Sequence, residues 1–244
     1  MSSLVAWMDR TFYPEQSNNW DDALFRRWIE CRLRPQDHML DLGAGAGIVP
    51  HMNFRGLATR VCGVDLDPRV TDNPFLDEGH VGSGAAIPYP DATFDLVFSD
   101  NVLEHLSDPV SVFSEVRRVL KPGGAFLVKT PNRSHYVPLL ARLTPLRFHR
   151  FLNRLRGRAS ADTFPTCYRA NSPRQIRALA RAAGFEVRRL ELVEGRPEYL
   201  RLSALTYAFG LLYERLVNIL PPLARFRVLL VAELERPSSG GQSA

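Results

Sequence analysis

Several features are scarce or missing in this chain of 244 residues, and each excludes a class of protein. The three cysteines are too few and too widely spaced for a disulfide framework, so we expect a reducing compartment. No cluster of histidine, cysteine and carboxylate residues has the spacing of metal ligands, which argues against metal-assisted chemistry. The first residues lack the charged region and apolar core of a secretory signal. These absences together predict a cytoplasmic protein without a metal.

Long hydrophobic runs are also missing. The longest apolar stretch, Leu202 to Leu220, is interrupted by Glu214, Arg215 and Asn218 and is too polar to predict a membrane span. A helix over Leu205–Leu220 would nevertheless suit an acceptor held at a membrane surface, so peripheral membrane contact is a hypothesis that the sequence raises.

Lysine is nearly absent, since it occurs only at positions 121 and 129, and arginine carries most of the positive charge behind the net charge of +5. One segment concentrates these arginines between leucine and phenylalanine residues. It fits either a basic amphipathic surface for an anionic substrate, or a solvated helix face packed through its apolar stripe. No recognisable RNA-binding module accompanies it, so no nucleic-acid partner is expected. The basic residues of this segment are Arg142, Arg147, His149, Arg150, Arg154, Arg156 and Arg158.

What the chain does contain is the composition of a globular α/β protein, with 45% apolar and 23% charged residues. Its most informative stretch is HMLDLGAGAGIV at residues 38–49, an apolar run that ends in Asp41 and opens into alternate glycines. This pattern predicts a strand, a tight glycine turn and the start of a helix. Glycine suits such a turn because the backbone angles are unusual and a ligand approaches the main chain closely.

A second strand is predicted at VCGVDLD, residues 61–67, and its Asp65 is well placed to accept hydrogen bonds from a ribose. A dinucleotide fingerprint would carry a third glycine at position 48, where this chain has Ile48. The carboxylate of Asp41 would repel a pyrophosphate but attract an ammonium group. The pattern therefore favours S-adenosylmethionine over a nicotinamide dinucleotide, with an ordinary strand–helix turn as the plain alternative.

The following residues continue the alternation of strands and helices. FDLVFSDNVLEHL at 94–106 predicts a buried strand and a polar turn into a helix that begins at His105. Asp108-Pro109 predicts a helix start. KPGG at 121–124 ends that helix before another strand at 125–130. The chain resembles the class I S-adenosylmethionine-dependent methyltransferases of the UbiE/type-11 group. The segments that carry the resemblance are LDLGAGAG, VDLDP, IPYPDATFDLVFSDNVLEHL and EVRRVLKPGG. The resemblance covers roughly residues 38–131.

The resemblance implies a doubly wound, Rossmann-like α/β fold with a seven-stranded sheet, mostly parallel with an antiparallel last strand, and helices on both faces. It divides the chain into an N-terminal helical lid at 1–37, a methyltransferase domain at 38–236 and a disordered tail at 237–244. Insertions are expected at about 132–170 and 195–223. A helix from Ser172-Pro173 to Gly184 and strands at 185–192 and 226–234 complete the expected domain.

The cofactor implied is S-adenosyl-L-methionine, and its contacts can be assigned by position. Asp41 is expected at the methionine amino group, Asp65 at the ribose and Leu66 at the adenine face. Ser83, followed by Gly84, stands where many relatives carry an acid that contacts the adenine amino group, so that contact is in doubt. The remaining expected contacts are the backbone of Gly43, Ala44 and Gly45, and the side chains of Asp100 and Asn101 near the methionine or the sulfonium.

Catalytic assignments rest on position alone. Histidine is a suitable base near neutral pH, so His105 and His135 are the candidates, with Asn132 and Tyr136 as candidate contacts for the acceptor. Glu104 either orients His105 or is solvated. We expect transfer to a small-molecule acceptor, with oxygen favoured and nitrogen and carbon open. The alternatives are a noncatalytic S-adenosylmethionine-binding protein and, more remotely, a nicotinamide-dependent oxidoreductase, and the oligomeric state stays open.

Overall fold

The computed structural model describes residues 3–14, 19–143 and 165–238. Most of the basic segment at 142–158 and nearly all of the tail at 237–244 therefore lie outside the described residues. The helices are α1 (Ser3–Phe12), α2 (Trp20–Glu30), α3 (Pro109–Val119), α4 (Tyr136–Leu143), α5 (Pro173–Ala183) and α6 (Ala204–Ile219). The strands are β1 (His38–Leu42), β2 (Arg60–Asp65), β3 (Glu78–Val81), β4 (Phe94–Asp100), β5 (Leu120–Pro131), β6 (Glu186–Val193) and β7 (Leu229–Glu235).

All seven strands join one sheet in the order β3-β2-β1-β4-β5-β7-β6. β1 pairs in parallel with β2 and β4, β2 with β3, and β4 with β5. The last strand, β7, is antiparallel to β5. At the end of this pair the Gly123 amide donates to the Arg236 carbonyl oxygen, and the Arg236 amide donates to the Gly124 carbonyl oxygen. This is the doubly wound sheet that the sequence predicts. Its parallel strands bring the carboxyl ends of β1, β2 and β4 to one edge.

Burial explains why the central strands are continuous apolar runs. Met39 and Leu40 of β1, Val97 of β4 and Phe126 and Leu127 of β5 expose none of their surface. Parallel strands covered on both faces carry such runs rather than an alternation of apolar and polar residues. The packed core of the sheet therefore fixes the strand ends that carry the polar side chains.

Helix ends follow the expected capping chemistry. Asp108 accepts from the Ser111 amide at the start of α3, and Ser172 accepts from the Gln175 amide at the start of α5. Gly184 ends α5 in the left-handed region at φ 74°. The amphipathic α2 buries Phe25, Trp28 and Ile29.

The helix expected after the glycine turn is not present, and that prediction was wrong. The connection from β1 to β2 contains only a 3-10 turn at Pro50–Met52, flanked by extended backbone at Val49 and Asn53. Pro50 disfavours helical angles at the residue before it and supplies no amide hydrogen, which accounts for the short turn. The Arg26 side chain of α2 donates to the His51 and Asn53 carbonyl oxygens at 2.8 and 2.9 Å, so α2 binds the end of this turn.

The described residues fall into two compact units. One contains the described parts of Met1–Trp20, Pro131–Thr166 and Leu192–Leu229, and the other those of Asp21–Thr130, Cys167–Glu191 and Leu230–Ala244. We call the first the helical unit and the second the sheet unit. Val5, Met8, Tyr13 and Tyr207 form a buried cluster in the helical unit. No described helix is both long enough and apolar enough to cross a bilayer.

Candidate cofactor site

The sheet unit brings three carboxylates to the carboxyl ends of neighbouring strands. Asp41 is the last but one residue of β1 and lies opposite Gly63 of β2 and Phe98 of β4. Asp65 and Asp100 are the last residues of β2 and β4. Asp41 is only 8% exposed, and burial, together with the negative charges of Asp100 and Asp65, raises its pKa well above the usual range. A cationic ligand at this edge would favour the ionised forms of these groups.

The loop that carries Gly43, Gly45 and Gly47, which we call the glycine loop, lies at this edge. Gly43 has φ 89° and its amide donates to the Val64 carbonyl oxygen at 2.8 Å. A Cβ atom at Gly43 would lie 2.1 Å from a methyl group of Val102, so only glycine permits the approach of the loop to the residues after β4. The turn predicted from the sequence is confirmed in this respect.

Asp65 and Asn73 hold the loop in place. One carboxylate oxygen of Asp65 accepts from the Gly45 amide at 2.8 Å, and the other accepts from the Asp67 amide at 2.8 Å. The Asn73 amide nitrogen donates to the carbonyl oxygens of Ala44 and Gly45 at 3.0 and 3.2 Å. Asn73 is buried, and sequence reasoning missed it because the contact joins residues far apart in the chain.

The predicted adenine side of the site is made of exposed residues near the same edge. Leu66 leaves 71% of its surface in solvent, which makes it available to a planar ring. The Gly82 amide donates to the Asp65 carbonyl oxygen at 2.8 Å and so joins the loop after β3 to the end of β2. Ser83 accepts from the Ala85 amide through its hydroxyl, and Gly84 packs close to Leu42.

Asp100 is part of a buried charge network that sequence reasoning missed. The ammonium group of Lys129 on β5 is fully buried and lies 2.9 Å from Asp100 and 3.2 Å from Asp21. It also contacts Asp22, and both of these acids belong to the first turn of α2. Burial raises the pKa of Asp100 to about 6, although Lys129 lowers it. The only available signal was a lysine within the otherwise apolar strand AFLVKT, in a chain with two lysines.

The turn after β4 positions Asn101 and His105 in the same unit. Asn101 adopts φ 54°, and its side chain donates to Asp100 at 2.9 Å. His105 ends a 3-10 turn, Leu103–His105, rather than beginning a helix as predicted, because α3 starts only at Pro109 behind its Asp108 cap. The His105 imidazole lies 3.9 Å from a Glu104 carboxylate oxygen.

Glu104 is buried rather than solvated. Its carboxylate accepts from the Thr130 hydroxyl at 3.0 Å, and Thr130 in turn accepts from Asn171 at 2.6 Å. Burial raises the pKa of Glu104 above its ordinary value. The Glu104 carboxyl group is therefore anchored to the end of β5, next in the chain to His105.

The other predicted catalytic and acceptor residues belong to the helical unit. His135 is buried, and its imidazole lies 3.8 Å from the buried carboxylate of Glu194. Burial lowers the pKa of His135 to about 3 and raises that of Glu194 to about 8, so the histidine is neutral near pH 7. The rings of Tyr136 and Tyr213 lie 4.0 and 5.6 Å from the His135 ring.

Asn132 is committed to backbone contacts in the same unit. Its amide nitrogen donates to the Arg225 and Arg227 carbonyl oxygens at 2.8 and 2.7 Å. Its amide oxygen accepts from the Ser134 amide at 3.1 Å. These bonds use both amide hydrogens of Asn132 and fasten the chain after β5 to the chain before β7.

The chemistry of the sheet edge fits S-adenosylmethionine. Buried Asp41 and half-buried Asp100 can compensate an ammonium group, and Asp65 retains acceptor capacity for ribose hydroxyls beyond its two backbone contacts. A pyrophosphate would instead meet three carboxylates. Among the residues that the structure describes, no group of three or more His, Cys, Asp or Glu side chains is arranged to hold a metal ion.

Comparison with known proteins matches this chain to methyltransferases. Residues 40–128 match the family model described as "Methyltransferase domain". A "Probable S-adenosylmethionine-dependent methyltransferase" of Mycolicibacterium smegmatis is 41% identical over 117 residues, which cover 46% of this chain and 44% of that protein. The demethylmenaquinone methyltransferase of Symbiobacterium thermophilum is 27% identical over 189 residues, 64% of this chain and 71% of that protein.

The ubiquinone biosynthesis O-methyltransferase of Cereibacter sphaeroides is 34% identical over 106 residues, 39% of this chain and 42% of that protein. The chain thus spans about half the length of several curated relatives that it matches.

Solved structures share the fold at low identity. The cyclase SpnF is 19% identical with a TM-score of 0.57, and the alignment covers 92% of this chain and 85% of that one. The geranyl diphosphate C-methyltransferase of Streptomyces coelicolor A3(2), solved with S-adenosyl-L-homocysteine, is 15% identical with a TM-score of 0.55 over 91% of this chain and 85% of that one.

Proposed function

We propose that this protein is a class I, S-adenosylmethionine-dependent methyltransferase that transfers a methyl group to a small-molecule acceptor, with oxygen as the accepting atom. The match of residues 40–128 to a methyltransferase family model and the identity to a probable S-adenosylmethionine-dependent methyltransferase support the proposal. The observation that carries the proposal is the set of three carboxylates, Asp41, Asp65 and Asp100, at one sheet edge under the glycine loop. The reaction belongs in the cytoplasm, where the free thiol of buried Cys62 stays reduced.

The three carboxylates have two tasks in this proposal. Asp65 receives the ribose hydroxyls while it holds the Gly45 amide, so ribose binding and loop position depend on one side chain. Asp41 and Asp100 hold the ammonium group, and the charge of Lys129 limits the repulsion between the ionised carboxylates. Leu66 covers one face of the adenine, and Ser83 or a neighbouring backbone group meets its amino group.

The bound cofactor supplies an electrophilic methyl group on a sulfonium, so the chain has to align an acceptor and receive its proton. Much of the acceleration of such a displacement comes from positioning. His105 is the better general base of the two predicted histidines, since it belongs to the same turn as Asn101 and is partly exposed. His135 is buried in the helical unit and, with a pKa of about 3, is the weaker base of the two.

Several curated relatives are named O-methyltransferases, which supports oxygen as the accepting atom. The aromatic rings around His135 offer an apolar surface with hydroxyl groups, suited to a sugar, lipid-linked or secondary-metabolite acceptor. The acceptor's identity is left to direct screening.

Titration calorimetry tests the cofactor half of the proposal. The wild-type protein should bind S-adenosylmethionine and S-adenosylhomocysteine with micromolar affinity and should not bind NADH. Asp65→Ala should weaken binding by about a hundredfold, because it removes both a ribose acceptor and the tie to Gly45. Asp72→Asn, which removes one negative charge from an exposed residue beyond the site, is the matched control and should bind normally.

Two outcomes would contradict the proposal. Tight NADH binding, or no binding of either sulfur ligand by folded protein, would refute the cofactor assignment. If the cofactor binds but a screen with methyl-labelled S-adenosylmethionine shows no transfer to sugars, lipid-linked alcohols or phenols, the noncatalytic alternative would replace methyl transfer. A labelled product whose methyl group is on nitrogen or carbon would correct only the accepting atom.

A further inference from the structure

We propose that the helical unit binds the surface of an anionic lipid bilayer through one face of α6. The face consists of large apolar side chains that are between 41% and 71% exposed. We call it the apolar face, and its members are Leu205, Phe209, Leu212, Leu216 and Ile219. The inference does not depend on methyl transfer, because it concerns a surface formed by the helical unit alone.

The helix geometry makes these residues one stripe. At about 100° per residue, the five side chains fall within about 80° around the helix axis. The opposite side of α6 is the one packed into the protein, because Tyr207, Gly210, Glu214 and Val217 are its buried residues. The apolar face is therefore not needed for the fold of the helix, and exposed apolar surfaces of this extent mark interaction sites.

Neighbouring residues extend the apolar character beyond the helix. Leu202 before α6 is 59% exposed and Leu220 after it is 42% exposed. In the same unit, α1 exposes Leu4 and half of Trp7, although its Val5 and Met8 are buried. Tryptophan favours the interface between water and lipid because its ring is apolar and its N–H is polar.

Charge identifies the partner as an anionic surface. Every exposed charged side chain among the described residues of the helical unit is an arginine, namely Arg10, Arg215 and Arg225. The acids among the described residues of the unit are paired or hydrogen-bonded within it. Asp9 pairs with Arg201 at 2.6 Å, and Glu214 accepts from the Tyr13 hydroxyl at 2.9 Å.

Glu194 accepts from the Val228 amide at 2.8 Å, and Glu198 pairs with Arg196 at 2.6 Å. The described residues of the helical unit thus combine an apolar stripe with exposed arginines and no exposed acid, which matches a bilayer that contains anionic lipid. A second copy of the same unit would bring arginine towards arginine.

Vesicle cosedimentation tests the inference with the full-length protein. Wild-type protein should bind phosphatidylcholine vesicles weakly and vesicles that also contain phosphatidylglycerol about tenfold more strongly, with the difference lost at high salt. The double variant Phe209→Ser with Leu212→Ser should reduce binding to both vesicle types by about tenfold or more. Arg10→Gln with Arg225→Gln should reduce binding only to the anionic vesicles.

A matched control separates this surface from exposed apolar residues in general. Leu57→Ser with Val110→Ser changes two exposed apolar residues of the sheet unit and should leave vesicle binding unchanged. All variants should keep the wild-type thermal unfolding midpoint. The inference is overturned if wild-type protein binds neither vesicle, or if the Phe209 and Leu212 variant binds as well as wild type. A dimeric wild type that becomes monomeric in this variant, without vesicle binding, would assign the face to self-association instead.

Discussion

At the scale of single residues, the site depends on acids whose ionisation the fold controls. Asp41 is buried and Asp100 half-buried, and both have a raised pKa, whereas Asp65 is held by two backbone amides. Burial disfavours the charged carboxylate until a cation or a hydrogen-bond donor compensates it. Binding of a cationic ligand should therefore be linked to the ionisation of these groups.

The affinity for S-adenosylhomocysteine should accordingly depend on pH. Asp100 has a pKa of about 6 in the free protein. In the proposed role at the ammonium group it acts in its ionised form, so affinity should fall as the pH drops below 6. A fall of up to about tenfold per pH unit is the limit for one linked proton. Calorimetry across this range, in buffers with different ionisation enthalpies, measures both the affinity and the protons released.

The variant Asp100→Asn provides the control for this linkage. It cannot ionise, so it should bind more weakly near pH 7 and show a flatter pH profile. Retention of the wild-type slope in Asp100→Asn would assign the linked proton to another group, with Asp41 as the next candidate.

At the scale of secondary-structure elements, one buried ammonium group joins a helix to the sheet. Lys129 of β5 contacts the two acids in the first turn of α2 and the acid at the end of β4. Burial alone would lower the pKa of Lys129, but Asp100, Asp21 and Asp22 raise it, so it stays charged. Acids in the first turn of α2 are also favoured by the helix dipole.

Removal of this ammonium group should be costly. Lys129→Met would leave half-buried Asp100 uncompensated, and we expect a loss of about 3 kcal/mol in the free energy of unfolding. Lys121→Met, which removes the other lysine and its more exposed pair with Asp95, should cost about 1 kcal/mol or less. Urea denaturation of both variants measures the two losses in the free energy of unfolding. Equal losses would show that Lys129 does not stabilise the contact between α2 and the sheet.

At the scale of the whole molecule, ligand binding should raise stability by an amount set by mass action. S-adenosylhomocysteine at about one hundred times its dissociation constant should add about 2.7 kcal/mol to the free energy of unfolding of the part that binds it. NADH at the same concentration should add nothing. Urea denaturation with and without each compound is the measurement, and stabilisation by NADH would point to a dinucleotide site.

Asp65→Ala serves as the control, because it should lose this stabilisation at the ligand concentration that suffices for wild type. Stabilisation equal to that of wild type in this variant would show that the ligand binds away from the glycine loop.

The sequence by itself determined the order and position of most strands, the glycine turn and the helix caps. These features depend on local chemistry: apolar runs that fill a sheet core, glycines where φ is positive, and Asp108 or Ser172 before a proline. The helix predicted after the glycine turn was wrong for an equally local reason. Pro50 disfavours helical backbone angles at Val49, although the residues before it are compatible with a helix.

Only the tertiary structure decided which of these residues work together. It brought Asn73 to the carbonyl groups of the glycine loop and Lys129 to the acids of α2, because contacts between distant segments leave no periodic signal. It buried Glu104 and left the face of α6 exposed, since burial depends on what packs against a residue and not on the residue itself. For the same reason, the sequence supplied the list of acids, and the packing of parallel strands gathered them at one edge.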